Sequence, residues 1–565
     1  MSSSDPNIVK SLYPSGSKSV PDVSITDFLF QSLDINYELL KDQIWVKDVF
    51  SGSSYKYSDI KPLTRKIASG LTRLGFKKGD VFCFATNDVT LIYLVHLSVW
   101  ICGGVLRGLH PQDEKEVYER QLREVSCRFT LCDHNTKTRL KWAIKQLEWD
   151  VQELSIGGKV EGATAIEHMV VDDNCSCYPH DVQINPKEDV YIMVSTSGST
   201  GFPKCVLHTH YNMVACYSSF GAPIKIEEPR EVGMSAFTMT GNHLISAYGG
   251  IAASILYGCT FQSSSNFELK TLLPMLEKHK PETLFLYPYA ANVMMQSDEL
   301  GEYDLSSLKY VFSGGSVFTP TTAKLFEAKL PNVKLMTLFG MSEILFCTFS
   351  SIDKEAKPTT EKSIAGLAVG MSDGCEHISC GQLLPAYQAK IVDPLLKCSV
   401  GRNTKGQLWV KGPYMMKGYL DVKSEKGYIS KIDEDGWFNT GDMGYIDKGG
   451  NLYVVDRSAF TFIYNNHLVS PSDIEAIIMR HQAVSIAGVI GVPDFITTAS
   501  ARAYVVLKPN YKVTEEDIKK YVAERACHHM HLHGGVVILD ELPECRGGKI
   551  NRPALFQMAQ AERKL

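Results

Sequence analysis

Ser195-Thr196-Ser197-Gly198-Ser199-Thr200-Gly201-Phe202-Pro203-Lys204 sets five hydroxyls, two glycines and a lysine within ten residues. It follows the apolar run Val190–Val194, which reads as a buried strand ending in a loop. That composition suits a polyphosphate. Glycines let backbone N–H groups approach closely, hydroxyls donate to phosphate oxygens, and the lysine supplies a point charge. It is not a Walker A loop, because Lys204 follows Pro203 and precedes Cys205 where that pattern needs Gly-Lys and then Ser or Thr. Taken alone, the stretch also fits a hydroxyl-rich surface turn.

The 565 residues around it are too many for one domain and predict two or more. A hydrophobic fraction of 44% with 21% charged residues describes an ordinary globular protein. A net charge of -5 and a pI near 6.4 give no electrostatic reason to expect a nucleic-acid partner. The 15 cysteines are scattered and Met1–Asp5 is polar, without a signal-peptide pattern, so free thiols in a reducing compartment are expected. Cys175-Ser176-Cys177 has no second pair at zinc-like spacing. The uncharged runs Val89–Leu106 and His243–Phe261 approach a bilayer crossing in length. Their glycine pairs and polar interruptions read instead as buried helices, so no transmembrane segment is expected.

Residues 1–24 form a Ser- and Pro-rich lead-in expected to be loosely attached, and a globular pattern begins at Ile25. Tyr55–Phe76 reads as an amphipathic helix, Val81–Ala85 as a strand, Val89–Leu106 as a helix, Glu114–Val125 as a charged helix and Arg128–Cys132 as a strand. Alternation of this kind predicts an α/β fold, a mostly parallel sheet covered on both faces. Near the C-terminus, Ala503–Leu507 reads as a strand and Glu515–Ala526 as a helix, with a junction at Tyr453-Val454-Val455-Asp456-Arg457. There is no internal repeat.

Further motifs follow the hydroxyl-rich stretch. Ser313-Gly314-Gly315-Ser316 succeeds the strand Tyr310–Phe312, and Leu338-Phe339-Gly340-Met341-Ser342-Glu343 comes next. Gly436-Trp437-Phe438-Asn439-Thr440-Gly441-Asp442 precedes Arg457, and Val469-Ser470-Pro471 opens a helix running through Glu475. Leu542-Pro543-Glu544-Cys545-Arg546-Gly547-Gly548-Lys549-Ile550-Asn551-Arg552 closes the series. In this order the motifs resemble those of the adenylate-forming superfamily, which holds acyl-CoA synthetases, 4-coumarate-CoA ligases, beetle luciferases and peptide-synthetase adenylation domains. As an isolated carboxylate Glu343 reads as a helix N-terminal residue; its place in this series gives it a different reading.

The resemblance, spanning Ile25 to Arg552, implies an AMP-binding region over 25–456 and a small mobile C-terminal α+β domain over 457–565. It implies that a carboxylate is activated with ATP as an acyl-AMP and passed to CoA. In that reading Ser197, Gly198, Ser199, Thr200, Gly201 and Lys204 hold phosphates, while Gly314, Gly315, Ser316, Phe339, Gly340 and Ser342 lie along the adenine. Asp442 and Arg457 hold the ribose, Glu343 with Thr200 holds Mg²⁺, and Lys549 bridges the carboxylate and the α-phosphate. Phe237, Met239, Gly241, Leu338 and Phe346 line the acyl pocket.

The chain also departs from the superfamily. Ala459 falls where a polar hinge residue is usual, Ile463 where some relatives carry a second lysine, and Asn466 replaces the glycine beside the thiol arm of CoA. Phe237-Thr238-Met239-Thr240-Gly241-Asn242 lacks the usual aromatic-His pair, with His243 close by, and Leu338 stands where luciferases have glycine, predicting a shorter cavity. A fatty or aryl acid is the expected substrate. The alternatives are a non-CoA acceptor, luciferase-like oxidation, or a catalytically weak nucleotide- or acyl-binding protein. His528-His529-Met530-His531-Leu532-His533 is rich in metal-ligating residues but reads as a solvated or packed segment. Arg563-Lys564-Leu565 resembles a Ser-Lys-Leu address except at its first position, which points to a peroxisomal or cytoplasmic enzyme.

Overall fold

The computed structural model of the protein describes residues 5–13, 19–172, 174–196, 204–226, 234–235, 241–266, 268–350, 362–465, 467–545 and 549–562. Apolar runs buried on both faces make parallel strands. Val81–Ala85 is the type case, with Phe82, Cys83 and Phe84 inaccessible to solvent. It sits inside a nine-stranded sheet in which Val190–Ser195, Val105–Gly108, Val81–Ala85, Phe129–Cys132, Gln152–Ser155 and Thr164–Ala165 run parallel in that spatial order. On the other flank of Val190–Ser195, the strands Cys205–Thr209, Gly418–Leu420 and Tyr428–Ile429 continue the sheet antiparallel.

A second nine-stranded sheet contains Ile44–Asp48, Phe261–Ser263, Met234–Ser235, Thr283–Leu286, Tyr310–Ser313 and Lys334–Met341, all parallel, and turns back through the antiparallel strand Leu345–Phe349. The helices Ile25–Leu40, Leu91–Ile101, His210–Ser219 and Ile245–Tyr257 share one apolar core with both sheets, joining Phe82 and Ile192 of the first to Trp45 and Phe261 of the second. A third sheet, antiparallel, holds Gln388–Val392, Gly406–Lys411, Phe438–Ile446 and Leu452–Arg457.

Beyond Arg457 the chain builds a separate small sheet from Phe462–Tyr464, His467–Val469, Val484–Asp494, Thr498–Leu507 and Val536–Leu539. Helices Pro471–Ile478, Glu515–Ala523 and Arg552–Glu562 pack on it, with Ile474, Ile477, Val489, Val505 and Ile518 in its own core. The fold is thus α/β: a large N-terminal region of packed sheets and helices and a small C-terminal α+β lobe. Among the described residues no helix is long and apolar enough to cross a membrane, and no disulfide joins the described cysteines.

Several local expectations change. The run Val89–Leu106 divides into a helix, Leu91–Ile101, and a strand, Val105–Gly108, because Gly103 turns the chain at φ +70°. His243–Phe261 likewise ends its helix at Tyr257, where Gly258 caps it in the left-handed region, before the strand at Phe261. Tyr55–Phe76 opens as a strand, Ser54–Lys56, and its α-helix is Ile60–Arg73; Asp59 accepts from the Lys56 N–H at the boundary. The lead-in is tied down over residues 5–10 rather than loose. Val9 and Lys10 pair with Ala389 and Gln388, and Asn7 and Asp5 bond Ser399.

Candidate active site

Lys204 ends the hydroxyl-rich stretch and immediately precedes the strand Cys205–Thr209, which pairs with Val190–Ser195. Its N–H donates to the Thr196 hydroxyl at 2.9 Å and its carbonyl accepts from the Thr196 N–H at 2.9 Å, closing the loop at its neck. The Lys204 ammonium stands 5.0 Å from the centroid of the Tyr419 ring. The Tyr419 hydroxyl in turn donates to the Glu343 carboxylate at 2.8 Å. Burial, and then the Glu343 charge, push the Tyr419 phenol far up, so it remains a donor.

Glu343 lies in the turn between the antiparallel strands Lys334–Met341 and Leu345–Phe349, not at a helix N-terminus, and is 6% exposed. Its carbonyl accepts from the Met416 N–H at 2.7 Å, and the neighbouring Ser342 carbonyl accepts from His208 Nε2 at 2.6 Å. Burial lowers the His208 pKa to about 4, so this imidazole is a neutral donor. The strand after Lys204 therefore holds the Glu343 turn directly. Gly340 is required on the strand leading into that turn, because a Cβ there would meet the Leu345 carbonyl at 2.2 Å.

Asp442 and Arg457 face each other across the paired strands Phe438–Ile446 and Leu452–Arg457, with Arg457 Nε 3.1 Å from Asp442 Oδ1. Asp442 is buried, its Oδ2 has no hydrogen-bond partner, and burial raises its pKa to about 6 against the pull of Arg457. The Glu343 charge raises Asp442 further, and Arg457 acts on Tyr419, so the two groups share one field. An unpartnered buried carboxylate oxygen is costly unless a donor reaches it. A ribose diol carries such donors, and Glu343 offers the hard oxygen that Mg²⁺ takes.

Leu338 lies against Gly314, where a Cβ would come within 2.5 Å of Leu338 Cδ1, while Gly315 turns at φ +93° and Ser316 is exposed beside it. Phe339 is half-buried on the same strand. Phe346 lies against Gly249 of the helix Ile245–Tyr257, and Gly241 abuts the imidazole of His243. His243 is buried with both ring nitrogens unpartnered, its pKa lowered to about 3 by burial and by His110, whose ring is 4.8 Å away.

A family profile described as AMP-binding enzyme matches residues 39–420, and one described as AMP-binding enzyme C-terminal domain matches residues 473–549. The chain belongs to the AMP-binding enzyme family. Among its AMP-binding relatives is 4-coumarate–CoA ligase-like 1 of Arabidopsis thaliana, 28% identical over 97% of this chain and 96% of the relative. Peroxisomal OPC-8:0-CoA ligase 1 of the same plant is 25% identical over 96% of this chain and 95% of the relative. The fold is shared with ATP-bound MatB from Rhodopseudomonas palustris, with a TM-score of 0.80 at 18% identity over 95% of this chain and 99% of that one.

For this AMP-binding enzyme, Ser197, Gly198, Ser199, Thr200 and Gly201 lie outside the described residues, as do Phe237, Met239, Asn466, Arg563, Lys564 and Leu565. Lys549 lies on the strand Lys549–Ile550, paired with Glu544–Cys545, and its side chain is outside the described set. His243 was noted from the sequence only as lying close to the place of the usual aromatic-His pair, while Tyr419 and His208 belong to no motif read from the sequence.

Proposed function

We propose that this enzyme activates a hydrophobic carboxylic acid, fatty or aryl, with ATP as an acyl-AMP and transfers the acyl group to CoA. The observation that carries the reading is the chain of contacts Lys204–Tyr419–Glu343 beside a buried, half-unpartnered Asp442. In it, residues 25–456 hold nucleotide and acid, and 457–565 carry Lys549. A carboxylate oxygen of the acid attacks the α-phosphorus, pyrophosphate leaves, and in the second step the CoA thiolate attacks the acyl carbonyl and AMP leaves.

Two anions meet in the first step, and charge gathers as they do. Lys204 from one side and Lys549 from the other oppose it, in a role where loss of one fixed donor costs about 10²–10³-fold. Glu343 and Thr200 hold Mg²⁺, which supplies further positive charge at the phosphates when bound. Ser197, Gly198, Ser199 and Gly201 receive phosphate oxygens; Gly314, Gly315, Ser316, Phe339, Gly340 and Ser342 border the adenine; Asp442 and Arg457 take the ribose. Phe237, Met239, Gly241, Leu338 and Phe346 border the acyl group, and Leu338 against Gly314 favours a short or flat acid at that wall. The name of one relative, Peroxisomal OPC-8:0-CoA ligase 1, supports a peroxisomal setting, with a cytoplasmic one as the alternative.

The test is an acid panel with and without CoA, following pyrophosphate release and thioester. Acid-dependent pyrophosphate release with a CoA thioester is expected. Release without thioester moves the acceptor away from CoA, and ATP binding with no release for any acid overturns the assignment.

A further inference from the structure

The histidine run after the helix Glu515–Ala523 stands outside the nucleotide site, and folding gives it an order of its own. Met530 and Leu532 are buried in the small lobe's core, while His531 and His533 flank Leu532 in a tight turn that the His533 N–H closes on the His531 carbonyl at 2.8 Å. The short turn His528–Met530 brings His528 back beside them. Ring centroids lie 5.1 Å apart for His528–His531, 4.8 Å for His528–His533 and 5.7 Å for His531–His533. One ligand nitrogen from each of the three lies within 4.8 Å of the others.

The surroundings prepare these rings as ligands. His531 Nε2 lies 3.2 Å from the Ala526 carbonyl and His533 Nε2 lies 3.2 Å from the His528 carbonyl. A carbonyl only accepts, so both Nε2 atoms carry hydrogen and each Nδ1 keeps a free lone pair. A backbone carbonyl on the far nitrogen is the partner that fixes the tautomer of metal-ligating histidines. Tyr464, buried, stacks on His533 at 5.3 Å and 16°. His529 turns away and stacks on His467 at 4.6 Å.

We propose that His528, His531 and His533 form a binding site for one divalent transition-metal ion of the Zn²⁺, Ni²⁺ or Cu²⁺ kind, with water completing the coordination. Three imidazoles suit these ions and not Mg²⁺, which takes oxygen. Metal–nitrogen distances of about 2.0–2.1 Å require each nitrogen to move inward by less than about 1 Å, within the reach of side-chain rotation. His528 and His533 are exposed, so the ion enters from solvent without opening the lobe.

Co²⁺ titration of the full chain, after chelator treatment, tests the site. One equivalent should bind with visible d–d bands and no near-ultraviolet sulfur-to-metal band. The double variant His528→Asn, His533→Gln should bind at least about tenfold more weakly, and His529→Gln should bind as the parent does. Zn²⁺ should raise the parent's Tm and leave that of the double variant unchanged. Equal affinity in parent and double variant, a sulfur-dominated spectrum, or no stoichiometric Co²⁺ binding by the parent would each overturn the proposal. The last two need no variant to fold, and none of these readouts depends on adenylation.

Discussion

Burial pushes the Asp442 carboxyl up to about 6, and this sets a pH dependence for nucleotide binding. On the proposed reading, the carboxylate accepts from the ribose hydroxyls above that value; below it the group takes up a proton and loses that capacity. ATP affinity, measured by calorimetry, should therefore fall as pH drops through about 6. Asp442→Asn should bind about 10–100-fold more weakly at neutral pH, the value of a hydrogen bond to a charged group, and that gap to the parent should narrow as pH drops through about 6. An unchanged profile in Asp442→Asn would remove Asp442 from the ribose site. Lys204, Glu343, Asp442 and Arg457 were legible as candidates because each is a charged position in a fixed local frame. Tyr419 was not, since a tyrosine on a short strand carries no local mark and gains its place only when Gly418–Leu420 pairs beside Cys205–Thr209.

Among the elements, the helix Arg552–Glu562 is held onto the small lobe, next to Lys549, by a buried ion pair. Arg552 Nη2 makes two contacts of 2.7 Å to the Glu475 carboxylate, which also accepts from the Val489 N–H at 2.7 Å. Both side chains are largely buried, and removing one partner strands the other charge. Arg552→Ala should lower stability by about 3–5 kcal/mol, read by urea unfolding; a change within about 0.5 kcal/mol would show the pair to be idle. Strands at Val81–Ala85 and Tyr310–Ser313 and the Pro471 helix start were readable from apolar runs and a Ser-Pro opening. The run 89–106 misled because buried helix and buried strand are both uniformly apolar, leaving only Gly103-Gly104 to divide them.

At the largest scale the two lobes meet through Asp473, at the start of the helix Pro471–Ile478. It is buried between His377 Nε2 at 2.8 Å and Lys405 Nζ at 2.9 Å, both from the large region. Burial alone would raise its pKa, but those two partners outweigh it and hold the group below the usual carboxylate range. A depressed carboxylate stabilises the contact fully above its unfolded pKa of about 4 and loses that effect as pH falls through the lower folded value. Asp473→Ala should speed tryptic cleavage after Arg457 at pH 7. Equal cleavage rates at neutral pH would mean that the cluster does not hold the lobes together. This contact spans residues nearly a hundred positions apart, with no motif at His377 or Lys405, so the sequence offered no sign of it.

Acid-dependent exchange of labelled pyrophosphate into ATP, compared between the parent and Lys549→Ala, bears most directly on adenylation by two lysines from opposite lobes. The parent should exchange with at least one hydrophobic acid, and Lys549→Ala should fall by at least about 10²-fold while still binding ATP. Exchange at the parent rate in Lys549→Ala would contradict the account.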